Sequence, residues 1–408
     1  MNMKRKNYWL LFAILLLSLT SLSPSFEFTN TRSGDPPGNE PVPPTQTPDA
    51  PESDLGPIQV GVQMDDAELK VLQQMNIRFM ERTGAEVEII PLDTIISDAE
   101  SLMLEMSLGE APDILFLDSQ CIESLAIKGF LLPIDVSQAA VPDSRIPGSL
   151  LSLVQWNGYQ WGVPFDMDPY VFVWKNDKDA ELPSSRKAWL EFKQDQGKES
   201  MFVMNSKDPY AFAAAVSAFG GDPSKPDQDI LHILSPSKGA SWFKQQDAEA
   251  DLTEQIEEEN AAIAIGAYSS FPQDLPGEYR MWLPDYDTSK HKPVIHSRSF
   301  AITSHSESSQ LAMSWISEMS SKEMKRLWFE STGKLPALSD FYNPGDSAGE
   351  HQLTVLEELQ SIMEHAEVAE LSFGRGKGLF VYSNSVVDLM SGQMNVEDFR
   401  EQYETPAR

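Results

Sequence analysis

The sequence holds one cysteine, Cys121, among 408 residues. No intramolecular disulfide is open to it, and no zinc site built on several thiolates can form. Cys121 itself lies near a helix start, where it is either a small buried side chain or a thiol of lowered pKa. Basic residues are also scarce: 31 Lys and Arg stand against 62 Asp and Glu, a formal charge of −31. That sign repels a phosphate backbone and excludes nucleic acid as a partner. His291, His296 and His305 lie in polar stretches without metal-ligand spacing and read as surface histidines. Gly374-Arg375-Gly376-Lys377-Gly378 lacks the Walker spacing and its closing Ser or Thr, so it reads as a turn. The stretch from Gly221-Asp222 to Asp229 lacks the EF-hand ligand order and reads as a solvated loop. No repeat of solenoid length is present. Nowhere do a nucleophile, a base and an orienting group stand together, which argues against an enzyme, and no cofactor is implied.

What is present is material for two cores. Apolar residues make up 41 % of the chain, nine of them Trp, and the length exceeds what one core serves. At the N-terminus Lys4, Arg5 and Lys6 precede an apolar run from Tyr8 to Leu17 and then small polar residues, the layout of an export signal. Residues 1–25 are therefore either a signal peptide cut after Ser25 or a retained anchor, although the run falls short of the roughly 20 apolar residues a spanning helix prefers. The chain leaves the cytoplasm under both readings. Residues 26–57 are rich in Pro, Gly, Thr and acids, cannot offset ordering entropy by burial, and read as a disordered tether.

From Ile58 the pattern alternates. Ile58 to Val62 is a short apolar run, and Asp65 stands three residues before Glu68 in a capping-box spacing. The helix expected there carries Leu69, Leu72, Met75 and Phe79 on one face and stops at Gly84. Strand, helix and strand signals follow at Val87 to Ile89, from Ser97 to Gly109, and at Ile114 to Leu117, with a further helix ending at Gly129. This order predicts α/β architecture with a mostly parallel sheet covered on both faces. Ligands in such sheets bind beyond the carboxyl ends of the strands, here the segments starting at Gln63 and Asp118. Trp156-Asn157-Gly158-Tyr159 predicts a tight hairpin of type I′. Asp166 and Asp168 lie between Pro164 and Pro169, where the chain crosses from one lobe to the other.

Further strands are expected at Met201 to Met204, Ala262 to Ile265, Tyr279 to Leu283 and Ser299 to Thr303. Helices are expected at Ser184 to Gln194, Tyr210 to Phe219, Leu311 to Met319 and Lys322 to Phe329.

In order, Gly109 to Ile114, Lys128 to Pro133, Tyr159 to Pro164, Val171 to Asp177, Asp208-Pro209-Tyr210, Ala261 to Tyr268, Ser299 to Ile302, Ser331 to Pro336 and a final helix after Tyr382 make a series. From about Ile58 to about Tyr403 this series resembles the family 1 extracellular solute-binding proteins, the maltose-binding-protein-like substrate-binding components of ABC transporters. The resemblance implies a two-lobed, periplasmic-binding-protein-like fold of type II with the ligand cleft between the lobes. Lobe 1 would take 58–164 with 285–335 and lobe 2 would take 165–284 with 336–405. It implies capture of a small ligand, a sugar or oligosaccharide, by a monomer that delivers it to a membrane permease. The alternative is a surface sensor or adhesion module of the same fold. Departures from the family are the missing cysteine at the signal end, Ser184-Ser185-Arg186 in place of a Thr-Trp pair, and Leu379 or Phe380 where a tryptophan is frequent.

The candidate ligand-binding residues follow from both readings. Asp166 and Asp168 fall where the resemblance places ligand-contacting polar groups, or are solvated loop acids. Asp118, Ser119 and Gln120 either present amide donors to the cleft or simply cap a helix. Tyr210 and Tyr268 match family positions that offer a ring to the ligand, or are core residues. Gln63 completes the set.

Overall fold

The computed structural model describes residues 57–92, 99–109, 111–134, 146–175, 187–189, 191, 200–205, 207–235, 243–246, 256, 261–272, 275, 278–283, 292–339, 359, 363, 367–372 and 379–404. The signal segment, nearly all of the tether, Ser97, His291, the run Gly374 to Gly378 and most of the helix expected at Ser184 to Gln194 lie outside them. No helix among the described residues is long and apolar enough to cross a membrane.

Among the described residues twelve strands form: β1 Ile58–Val62, β2 Val87–Pro91, β3 Ile114–Asp118, β4 Gln155–Trp156, β5 Tyr159–Gln160, β6 Val163–Lys175, β7 Ser200–Asn205, β8 Phe243–Gln246, β9 Ala261–Ala267, β10 Tyr279–Trp282, β11 Ile295–Ile302 and β12 Leu335–Pro336. The helices used below are α1 Asp66–Thr83, α2 Ala99–Leu108, α3 Ile122–Ile127, α4 Gly148–Leu151, α5 Pro209–Ala218, α6 Gln228–Leu234, α7 Ser309–Met319, α8 Lys322–Thr332, α9 Leu379–Met390 and α10 Val396–Glu404.

The large sheet runs β2-β1-β3-β11-β6-β9-β7-β8, with β10 and β12 also paired to β6. Its outer parts are parallel, β2-β1-β3 on one side and β9-β7-β8 on the other. Its centre is antiparallel, because β6 carries the chain out of the first half and β11 brings it back alongside. The α/β class holds, whereas a mostly parallel sheet describes only the flanks. The expected crossing is one continuous strand rather than a loop: residues up to Pro169 pair with β11, and from Tyr170 onward the partners are β9 and β10. Pro164 has no N–H for the ladder, and beside it the register slips at Arg298/Ser299. Phe165 is left without a strand partner there, and its carbonyl accepts from the Ala337 amide at 3.0 Å.

Alternation along the strands covers both faces of each half. In β3, Ile114 and Phe116 join Leu72, Met75 and Phe79 of α1 with Trp315 of α7 and Trp328 of α8, while Leu115 and Leu117 join Leu102 and Met106 of α2 with Ile122 and Leu125 of α3. In the second half Phe172, Phe202 and Ile263 pack on α5, α6, α9 and α10, and Val171, Val173 and Val203 face the other way. Ile146 and Leu150, beside and within α4, share that last cluster with Tyr268 and Leu335, so this segment packs with the second half.

Local signals worked as physical chemistry requires. The Asp65 carboxylate caps α1 by accepting from Ala67 N and Glu68 N at 2.8 Å, and Gly84 closes it at φ 73°. Glu68 does not complete the capping box. Its side chain turns inward to Arg298. The hairpin has Asn157 at φ 52° and Gly158 at φ 80°, the left-handed pair that a type I′ turn demands.

Candidate functional site

A cavity of about 470 Å³ opens between the two halves. It lies where the strand-end rule places it, beyond the carboxyl ends of β1, β3 and β7. Gln63 follows β1, Asp118 ends β3, Asn205 ends β7, Lys207 and Asp208 come next, and Tyr210 stands in the first turn of α5. Tyr170 of β6 and His296 and Arg298 of β11 reach it from the shared central strands. Leu92, Leu102, Met103, Leu117, Leu125 and Leu379 make an aliphatic wall.

The polar side is built on two carboxylates and two tyrosines. Asp118 accepts from Gln120 N at 2.8 Å, which caps the short turn after β3, and from the Tyr210 hydroxyl at 2.6 Å. Asp208 caps α5 by accepting from Tyr210 N at 2.9 Å, and its other oxygen accepts from the Tyr170 hydroxyl at 2.6 Å. The two rings stack with centroids 5.6 Å apart and 20° between planes. His296 lies 4.9 Å from the Tyr210 ring, and its Nε2 is 3.4 Å from Asp118. Burial pushes the Asp118 carboxyl up to about 6 against the pull of the Tyr210 hydrogen bond, and it raises Asp208 as well. Burial, with Lys334 and Arg298 nearby, holds His296 well below its ordinary value, so this imidazole is neutral at pH 7.

Of the eight residues singled out from sequence, Gln63, Asp118 and Tyr210 line this cavity. The other five do not. The Ser119 hydroxyl is fully buried between those of Ser297, 3.1 Å away, and Ser299, 2.7 Å away. Gln120 spends its amide on backbone: Nε2 donates to Ala369 O at 3.1 Å and Oε1 accepts from Leu371 N at 2.7 Å. Since Ala369 and Leu371 belong to the second half's core, this residue clasps the halves together. The Tyr210–Asp118 bond does the same. Tyr268 packs in the core among Val171, Ala264 and Phe271, and burial pushes its phenol to about 12.

Asp166 and Asp168 are neither solvated nor in the cavity; each is 1 % exposed. Arg298 grips Glu68 through Nη1 at 2.8 Å and Nη2 at 3.1 Å, and it binds Asp166 through Nε at 3.2 Å and through Nη2. Trp328 Nε1 adds a donor to Asp166 at 3.0 Å. Asp168 accepts from Ser269 N at 3.0 Å, from the Ser269 hydroxyl and from Lys334 Nζ at 3.2 Å, and Lys334 also lies 3.5 Å from Glu68. The Arg298 guanidinium lies 4.8 Å from the Phe116 centroid. Carboxylates this deeply buried require such pairing, and the pairing fixes β6, β11, α1 and the end of α8 to one another. These aspartates hold the junction between the halves.

Asp208, Tyr170, His296, Arg298, Asn205 and Lys207 went unrecognised. His296 is a correction, since it lines the cavity and is not a surface histidine; His305 is exposed as expected. A signal existed: the polar run His296-Ser297-Arg298-Ser299 lies in this strand, and period-two alternation places His296 and Arg298 on one face. Asp208 carries a signal in Asp208-Pro209-Tyr210, since an Asp before Pro at a helix start is an N-cap. Cys121 is buried, its thiol is pushed well above the usual range by burial, and it sits at the cavity wall. The loop from Gly221 is a local turn in which Asp222 accepts from Ser224 N at 2.9 Å. Among the described residues no cluster of His, Cys, Asp and Glu could hold a metal.

Two α/β halves sharing central strands, with a polar and aliphatic cleft at their junction, define a two-lobed binding protein for a small solute. The sequence profile of the bacterial extracellular solute-binding proteins matches residues 74–354. The chain belongs to that family, and the expected resemblance is borne out. No curated protein sequence matches the chain significantly. Among solved structures, an ABC-transporter solute-binding protein from Thermotoga lettingae, bound with α-D-tagatose, is similar at a TM-score of 0.62 and 18 % identity, with 85 % of this chain and 97 % of that one covered. The GacH receptor of Streptomyces glaucescens, solved unliganded and with acarbose, aligns at 0.64 and 14 %, covering 85 % and 96 %. The maltotriose-binding protein of Thermus thermophilus, bound with maltotriose, aligns at 0.60 and 13 %, covering 85 % and 97 %. At these identities the likeness establishes the fold.

Proposed function

We propose that this protein captures a mono- or oligosaccharide in the cleft outside the cytoplasm and hands it to the permease of an ABC uptake transporter, performing no chemistry on it. The observation that carries the reading is the cavity itself. Its polar groups, Asp118, Asp208, Asn205 and Tyr210, come from both halves, so a ligand touching all of them stabilises the closed arrangement by its differential affinity. Carboxylates and amides at a helix start suit the hydroxyls of a sugar, and the aliphatic wall suits its C–H face. The resemblance to structures carrying tagatose, acarbose and maltotriose points the same way. The protein works as a monomer, held near the membrane by residues 26–57 acting as a tether.

Thermal unfolding of the purified protein against a panel of mono- and oligosaccharides, amino acids and polyamines tests this. A sugar present at one hundred times its Kd adds about 2.7 kcal/mol of stability. Stabilisation by an amino acid and by no sugar would refute the reading.

A further inference from the structure

We propose that the turn Asp118-Ser119-Gln120 is the latch of the cleft and that Gln120 is its positioning residue, whose side-chain amide holds the halves closed in the ligand-free chain and lets them part to admit a solute. The proposal rests on the closing cleft described above and is independent of which solute fills it.

Three consecutive residues of the first half do three different things. Ser119 is fully buried, and its hydroxyl stays within the junction, between those of Ser297 and Ser299 of β11. Both of its neighbours reach the second half. Asp118 accepts from the Tyr210 hydroxyl at 2.6 Å. Gln120 meets the backbone on either side of Glu370, donating from Nε2 to Ala369 O at 3.1 Å and accepting at Oε1 from Leu371 N at 2.7 Å. The two arms are joined, because Gln120 N donates to the Asp118 carboxylate at 2.8 Å. Each end is anchored. Cys121 and Ile122 set the turn in a core of the first half, while Ala369 and Leu371 pack with Phe212 and Val386 in the second, where Ala369 N donates to Pro293 O at 2.9 Å.

The chemistry of these bonds makes a latch and not a weld. Arg298 joins Glu68 to Asp166 through buried ion pairs, and parting such groups strands desolvated charge, so that contact stays made. The Gln120 amide is uncharged and only partly buried, and its partners are peptide groups, so water satisfies all of them when the halves part. An amide that spends a donor and an acceptor on one short stretch of backbone fixes direction as well as distance. Two such bonds shift a two-state balance by about tenfold, enough to favour one arrangement without freezing it.

Position divides the labour between the arms. Asp118 and Tyr210 line the cavity, and Gln120 does not. A solute in the cavity meets the Asp118 arm directly, and the Gln120 arm holds the halves together while the Tyr210 hydroxyl exchanges partners.

Double electron–electron resonance on the full chain, with spin labels on Ile77→Cys in α1 and Glu397→Cys in α10, reads the separation of the halves with no solute added. Both sites are exposed, and Cys121 is buried. The expected result for this labelled parent is one short distance. Gln120→Met keeps the length of the side chain, loses both bonds and should lower the closed-to-open ratio about tenfold. Combined with Tyr210→Phe it should lower the ratio about a hundredfold, so that a second, longer distance appears. Ser119→Ala loses its hydrogen bonds within the junction and none across the cleft, and should keep the parent's distance. Gln120→Glu, which keeps the acceptor and loses the donor, replaces Gln120→Met if that variant fails to fold. Long distances in the parent, an unchanged distribution in the double variant, or equal opening in Ser119→Ala would overturn the latch and leave solute capture standing.

Discussion

Replacing Arg298 by Met removes the one cation shared by Glu68 and Asp166 while keeping most of the side chain's volume. Arg298 is 5 % exposed, and its guanidinium makes two hydrogen bonds to each carboxylate. Without it, Asp166 keeps only Trp328 Nε1 as a side-chain donor, and Glu68 keeps only Lys334 at 3.5 Å. Removing one partner of a buried ion pair typically costs about 3–5 kcal/mol, because the remaining charge is left desolvated. Two carboxylates lose their partner here, so the upper end of that range is expected. Urea unfolding of wild type, Arg298→Met and the triple variant Arg298→Met, Glu68→Gln, Asp166→Asn separates the causes. If the penalty is stranded charge, the triple variant recovers at least half of the loss, since neutral amides in place of the acids remove it. A single-variant loss below about 1 kcal/mol would refute the view that this network holds the junction. A triple variant as unstable as the single one would show that Arg298 acts through packing against Phe116 and Trp328 instead.

Asp168→Asn should lower stability by weakening its contacts with Lys334 and Ser269 while leaving ligand affinity within about twofold, because Asp168 does not line the cavity; melting and calorimetry on the same variant check both halves of that statement. Tyr210→Phe should weaken binding about tenfold, the equivalent of ~1.4 kcal/mol, since it removes the hydroxyl that reaches Asp118 from the other half of the cleft; unchanged affinity would mean that this bond does not take part in closure. Asp118 has a folded value of about 6 against 3.8 for the free group. Between those values the folded chain keeps a proton the unfolded chain has lost, so stability falls as pH rises, by about 1 kcal/mol between pH 5 and pH 7.5 from this group. Asp208 is raised in the same direction and adds to the fall, and the slope should be shallower in Asp118→Asn, with parallel profiles counting against the assignment. Gly158→Ala forces a side chain into φ 80° and should cost about 1 kcal/mol by urea unfolding, with binding unaffected.

How much of the site could be read in advance depended on the kind of signal. Gln63 and Asp118 follow from a topological rule: strands that alternate with helices end at one edge, and the residues after them face the cleft. Asp166 and Asp168 show where that reasoning stops. Two acids between prolines look like an exposed loop, and their burial is produced by Arg298, Trp328 and Lys334, which stand more than a hundred residues away in the chain. His296 and Tyr170 had the opposite problem, since His296 begins a polar run and Tyr170 an apolar one, and only each strand's position at the junction turns the side chain toward the cavity.

Local chemistry, then, was settled by the sequence alone: the Asp65 cap and Gly84 stop of α1, the Asn157-Gly158 turn, the apolar alternation of β3 and the α/β order of elements all rest on interactions within a few residues. The tertiary structure decided what long-range pairing decides. It made the crossing one continuous strand, turned the centre of the sheet antiparallel, drew Glu68 out of its capping box into an ion network, and set Asp118 against Tyr210 across the cleft. A buried charge takes whichever partner lies nearest in space, and sequence spacing carries no record of that distance.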